Sequence, residues 1–198
     1  MGSLMTQHIP HATLETVEIG GQPVTLRFMT EDDSEIVLSF AQALPPHDLV
    51  FLHRDITQAD QMQAWIEDLE LGLEGVVLAV SADGAVLGYS SVSRSPLSWY
   101  RHVAELRVLV GELGRGHGLG RALTAEAFRI AEDLGVRKMV AQMTIDQQGA
   151  LHTFKRFGFT SEALLHDHVM DADGTTLDLL IMSQDVSAFE HTLAHLED

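Results

Sequence analysis

The chain has 198 residues, 45% of them apolar, which suits one domain with a packed core and excludes wholesale disorder. Its 29 acidic and 12 basic residues give a formal charge of −17, which first of all serves solubility; such a field also repels nucleic acid and anionic membranes and favours cationic partners. No cysteine is present, which excludes disulfides, thiolate metal sites and a cysteine nucleophile and agrees with a cytoplasmic location, and no apolar run nears the ~18 residues that span a membrane.

Met1 to Met5 reads as an expression scar before Met5-Thr6, although Gly2 and Thr6 also fit a loose myristoylation pattern. Residues 1–22 are polar, include Gly20-Gly21, and are expected to form an N-terminal arm or a short first strand ahead of one domain over 23–198. Val24 to Met29 alternates as a strand does. Thr30-x-x-Asp33 resembles a capping box before a helix from about Asp32 to Ala43, which Pro45-Pro46 stops. A second helix, near Gln58 to Leu71, carries Met62, Trp65, Ile66 and Leu69 at helical spacing. Val76–Val80 and Val86–Val92 are strands joined by Asp83-Gly84, a strong hairpin signal. His102 to Val110 is the next strand.

Leu113-Gly114-Arg115-Gly116-His117-Gly118-Leu119-Gly120-Arg121 follows it, and then Leu119, Leu123, Ala127, Ile130 and Leu134 trace one face of a helix ended by Gly135. Strand, glycine turn and helix start suit an anion site, because glycines clear Cβ atoms from the amides and the helix N-terminus offers unpaired N–H groups; the alternative is a plain flexible glycine turn. Arg115 and Arg121 add positive charge. Leu at 119 breaks the dinucleotide spacing G-x-G-x-x-G, and no Lys-Ser/Thr pair completes a P-loop. What remains is R-x-x-G-x-G, on Arg115, Gly118 and Gly120. Local residues alone leave the phosphate ligand open.

Lys138 to Ile145 is strand-like, and Asp146 is placed to cap a helix from Gln147 to about Arg156. Ala163–Met170 and Thr176–Met182 form a second hairpin around Asp173-Gly174, and Val186 to Leu196 suits a terminal helix. The order β-α-α-β-β-β-α-β-α-β-β describes one mixed α/β (α+β) domain with a sheet of about seven strands flanked by helices.

That order, with R-x-x-G-x-G between the fourth strand and third helix, resembles the GNAT superfamily of acyl-CoA-dependent N-acyltransferases. The match runs from about Val24 to Val186 and is most specific at Ala104-Glu105-Leu106 through Leu123, Gly149-Ala150, and Phe154 through Phe159. The resemblance implies acetyl-CoA as co-substrate and no metal. It places the pyrophosphate on the amides of Gly116, His117, Gly118, Leu119, Gly120 and Arg121, beside Arg115. It also pairs the pantetheine arm with Val108, Leu109 and Val110 like an added strand. For this the fourth and fifth strands splay apart, often with a bulge near the fourth. A backbone N–H near Val110 would polarise the acyl carbonyl.

Direct attack of an amine on a thioester needs a base for the ammonium proton. The histone-acetylating branch that this stretch resembles carries a glutamate at the place of Glu105, the candidate base; alternation on the strand equally allows a plain surface carboxylate. Many members place an acid tyrosine seven residues after a cofactor-contacting asparagine. Phe154 and Gln147 stand there instead, so a tyrosine acid at this place is excluded, while Gln147 can still hydrogen-bond the pantetheine arm. A thiolate can also leave unprotonated.

Other features carry less. His191-x-x-x-His195 has metal-ligand spacing on the last helix but lacks the glutamate of H-E-x-x-H. His166 and His168 lie on one expected strand and so share a face, near where the family places its acceptor pocket; they are either substrate contacts or part of an ordinary polar strand. Trp99 to His102 could line the acceptor site or cover a core edge. Gly88-Tyr89-Ser90 lacks the second glycine of a hydrolase elbow. Glu67, Asp68 and Glu70 read as a solvated face. The expected function is transfer of acetyl to a primary amine, on a small molecule or a basic peptide. The alternatives are a lysine or N-terminal protein acetyltransferase and a non-catalytic acyl-CoA sensor. A homodimer is compatible with the sequence.

Overall fold

The computed structural model describes residues 13–189, apart from 50, 51, 53, 96 and 172. The Met1–Met5 scar, the Gly2/Thr6 pattern, His191, His195 and most of the expected terminal helix lie outside these residues. Val186–Ala188 is a short 3-10 turn.

Eight strands form one sheet in the order β1-β2-β3-β4-β5-β6-β8-β7. They are β1 Thr13–Ile19, β2 Gln22–Phe28, β3 Glu74–Ser81, β4 Val86–Arg94, β5 Val103–Val110, β6 Lys138–Thr144, β7 Thr160–Met170 and β8 Thr176–Asp185. The helices are α1 Ser34–Gln42, α2 Pro46–Leu49, α3 Ala59–Glu70, α4 Leu119–Asp133 and α5 Gln148–Arg156. Of the two readings open for residues 1–22, the strand is realised over 13–19: β1 turns at Gly20-Gly21, both at positive φ, and pairs antiparallel with β2. Both Asp-Gly turns form, with Gly84 at φ 86° and Gly174 at φ 87° in a region that L side chains rarely adopt. α2 was not expected, since Pro46 opens it rather than merely ending α1.

The sheet separates two cores. On one face α4 packs Leu119, Leu123, Ala127 and Ile130 onto Val77, Ala79, Val92, Ala104 and Leu106. There Phe128 stacks on Phe189 with centroids 3.9 Å apart and lies 6.5 Å from Phe157. On the other face Val37 and Ala41 of α1 and Met62, Trp65 and Ile66 of α3 pack onto Val76, Leu78 and Tyr89.

The expected capping box of Thr30 and Asp33 forms, on a 3-10 turn that precedes α1. Residues Glu31–Asp33 form a 3-10 turn before α1, and the Asp33 carboxylate accepts from Thr30 N at 2.9 Å and from both Arg27 Nη atoms at 2.6 and 2.7 Å. Burial alone would raise the Asp33 pKa, but these donors outweigh it and hold the carboxyl below its ordinary value. A depressed carboxylate pKa stabilises the fold above the unfolded-state pKa, and the contribution disappears as pH falls through the folded value. Asp33→Asn is expected to cost about 3 kcal/mol at pH 7, as breaking a mostly buried pair does. Urea melts should show this deficit shrinking below about pH 4.

Candidate functional site

All neighbouring strands pair antiparallel except β5 and β6, whose parallel contact is short. Only Val103–Lys138, Ala104–Met139 and Glu105–Val140 pair. β6 then follows β8 as far as Thr144–Leu179, while β5 follows β4 as far as Val110–Gly88. Leu106 to Val110 and Ala141 to Thr144 thus diverge as the two sides of a wedge. This is the expected splay. No register shift interrupts β4–β5, however, so the anticipated bulge is absent from that pair. Termination of the β5–β6 ladder opens the wedge instead.

At the open end of β5 the chain enters the glycine turn. Glu112–Gly114 form a 3-10 turn, Gly116 sits at φ 77°, and Gly118, the residue before α4, at φ 86°. The first α4 bond runs from Ala122 N–H to Gly118 O, so the amides of Leu119 and Gly120 precede the helical ladder. A Cβ built on Gly116 or Gly118 would meet no atom within 4 Å, which leaves open space over the turn. Gly114 is different: a Cβ there would lie 2.6 Å from Leu119 Cδ2, so this glycine lets the turn pack down.

The turn's charged residues divide in role. Arg115 donates from Nε to Val110 O at 3.0 Å and pairs through Nη2 with Asp48 of α2, which fastens the turn to β5 and to the α1–α3 connection. His117 is exposed, with its ring facing Gly20 of the β1–β2 turn. Arg121 is exposed on the first turn of α4. Across the wedge, Gln147 precedes α5 in the place expected for Asp146, and its Oε1 accepts from Thr144 N at 3.3 Å. Thr144 Oγ1, shielded from solvent, has no hydrogen-bond partner among the described residues.

Glu105 is the last β5 residue paired to β6 and so stands at the apex of the wedge. Ala104 and Leu106 are buried toward α4, which sends Glu105 to the opposite face. Its side chain keeps 23% of its surface exposed, enough to be reached from solvent. Arg107 Nη2 donates to Glu105 Oε1 at 2.7 Å. That partner was not foreseen, although a Glu and an Arg two positions apart on a strand necessarily share a face.

Phe154 is buried against Phe159, centroids 5.0 Å apart, in the α4-side core. Neither tyrosine replaces it there: Tyr89 lies in the other core, 5.2 Å from Trp65 and with its hydroxyl pKa pushed up by burial, and Tyr100 sits in the 3-10 turn before β5. The register of β7 shifts between Leu165 and Val169, with Asp167 at φ 50°, which removes the regular alternation that put His166 and His168 on one face. His166 pairs with Asp178 of β8 at 3.0 Å. Trp99, Arg101 and His102 line a cavity beyond the start of β5, away from the glycine turn. Among the described residues no group of three His, Asp or Glu could hold a metal ion, and no helix is long and apolar enough to cross a membrane.

The family model described as Acetyltransferase (GNAT) family matches residues 40–159, which include β5, the glycine turn, α4, β6 and α5. A Bacillus subtilis (strain 168) protein provisionally named a phosphinothricin acetyltransferase is 34% identical over 88 residues, 44% of this chain and 53% of that protein. The streptothricin acetyltransferase of Streptomyces lavendulae is 32% identical over 98 residues, 46% of this chain and 51% of that one. This chain thus spans about half the length of these curated relatives. A solved phosphinothricin acetyltransferase from Sinorhizobium meliloti, in complex with AcCoA, superposes with a TM-score of 0.69 at 23% identity, over 82% of this chain and 88% of that one.

Proposed function

Because the chain belongs to the acetyltransferase (GNAT) family, we propose that it transfers an acetyl group from acetyl-CoA to the primary amine of a small molecule, with Glu105 as general base. The observation that carries this reading is the construction of β5: an open strand edge, a glycine turn at its far end, and a carboxylate where the wedge closes. The residues fit acetyl-CoA. The turn leaves open space above Gly116 and Gly118, and β5 offers the backbone of Val108, Leu109 and Val110 to an extended ligand arm.

Each residue has a role in this reading. Amides from Gly116 to Arg121, at the positive end of α4, hold the pyrophosphate, with His117 and Arg121 at the rim. Arg115 keeps the turn seated on Val110 and Asp48. Gln147 faces the same arm from the β6 side. Bound acetyl-CoA supplies an activated thioester, which a neutral amine can attack with loss of the thiolate. Glu105 accepts the ammonium proton, directly or through one water, and Arg107 orients its carboxylate. Phe154, buried in the core, supplies no proton, so a departing thiolate would leave unprotonated or be protonated by water.

A small amine fits the relatives named for phosphinothricin and streptothricin, and the charge of −17 draws cations toward the protein. Incubation with acetyl-CoA and a panel of small amines and basic peptides, with free thiol followed, is expected to show turnover on small primary amines. Turnover on peptides alone would move the acceptor to protein. Coenzyme A binding without turnover on any amine would favour a sensor.

A further inference from the structure

We propose that the cavity of about 450 Å³ walled by Arg94, Trp99, Arg101, His102 and Arg137 is a second anion site, for a small molecule bearing two or more phosphate or carboxylate charges. It is separate from the glycine turn. His102 precedes β5 and the turn follows it, so eight strand residues, roughly 25 Å at strand rise, lie between them.

The charge distribution is the first argument. The chain carries 12 lysines and arginines against 29 acids, yet three of its arginines and a histidine surround this one space, and no carboxylate lines it. The second concerns the end of α4, whose Leu134 and Gly135 close the cavity. Arginines at a helix C-terminus ordinarily serve its unpaired carbonyls. Here backbone amides already do so, with Gly135 N–H bonded to Glu132 O and Val136 N–H to Ala131 O. The third is Arg94 itself. It is anchored through Nη2 to Gly72 O at 2.6 Å, while its Nε is shielded from solvent and has no acceptor among the described residues. The guanidinium is thus held in place at the wall of the cavity, where its charge suits an oxyanion. Trp99, 70% exposed and edge-on to Tyr100, supplies an aromatic rim.

Trp99 is also the reporter, since the second tryptophan, Trp65, is buried. With coenzyme A saturating, so that the glycine turn is occupied, inorganic phosphate and citrate are titrated separately while tryptophan emission and thermal unfolding are followed. Sodium chloride at equal ionic strength is the control. The expected result is a saturable emission change and a raised Tm with at least one of the two anions. Response to phosphate only, or to citrate only, identifies the charged group.

Arg101→Gln with Arg137→Gln, both at exposed positions, should weaken binding at least tenfold, with the thermal shift read against the variant's own melting temperature without anion. Trp99→Phe should lose the emission signal and keep the thermal shift. No saturable response beyond the chloride control, or unaltered affinity in the double variant, would overturn the site. The readouts need no acetyl transfer, so this result stands apart from the amine assay.

Discussion

Coenzyme A affinity is expected to fall by about 100-fold or more when Gly118 is replaced by Asp. Two effects add. At φ 86° an L residue is strained by roughly 1–2 kcal/mol, somewhat less for Asp than for other side chains. The larger effect is charge. A carboxylate about 4 Å from a phosphate oxygen is opposed by about 4 kcal/mol at a surface-like dielectric, before screening by salt. The protein itself has room for the new side chain, since a Cβ at Gly118 meets no atom within 4 Å. Beyond a loss of stability of the size of that strain, the defect is therefore expected in binding: calorimetric titration should show the lost affinity while the far-ultraviolet spectrum stays near wild type, with Tm lowered by a few degrees. Retained affinity would remove the pyrophosphate from this turn. Gly114→Ala makes the complementary comparison, because its Cβ would press on Leu119 and should lower stability first.

The second large effect belongs to Glu105→Gln. General-base catalysis contributes about 10²- to 10⁴-fold, so kcat is expected to fall by about 100-fold or more near neutral pH. The amide preserves size and can still meet Arg107, which keeps the apex of the wedge packed. The loss should be greatest at low pH, where the amine arrives as ammonium, and should shrink at high pH, where solution already delivers it neutral. Affinity for coenzyme A should be unchanged. Wild-type turnover across the pH range in this variant would strip Glu105 of the base role and leave it a strand carboxylate paired to an arginine.

Where local chemistry determines structure, the chain was readable. Asp83-Gly84 and Asp173-Gly174 form their turns because glycine alone takes φ near 87° without strain, and the Leu119–Ile130 stripe buries as its spacing requires. The misses have equally physical causes. β1 stood open between an arm and a short strand because its apolar residues Leu14, Val17 and Ile19 do not alternate regularly. α2 is four residues long, too short for periodicity to register. The shift in β7 breaks the pattern that would have aligned two histidines. Arg115 looked like an anion ligand from its neighbours, whereas its strongest contact is Asp48, 67 positions away, a distance over which sequence spacing is silent. The glycine turn and the start of α4 could thus be placed from local signals, while the tether that seats the turn could not.

The aromatic stack of Phe128, Phe157 and Phe189 takes on a mechanical meaning beside the short β5–β6 contact. Backbone pairing joins the first five strands to the last three through three residue pairs, so the sheet is close to two sheets sharing a seam. Leaving about four or five pairs unmade forgoes roughly 1 kcal/mol for each hydrogen bond. A buried aromatic ring removes about 150–250 Å² from water, worth roughly 4–6 kcal/mol at 25 cal/mol/Å². Phe128 rides on α4 over the first part of the sheet, while Phe157 and Phe189 follow the strands and helix of the second. These rings act as a clamp behind the seam, holding the two parts in register while the front stays parted. Trimming Phe128 to Leu would therefore loosen the jaw angle of the molecule before it emptied any binding residue from the groove.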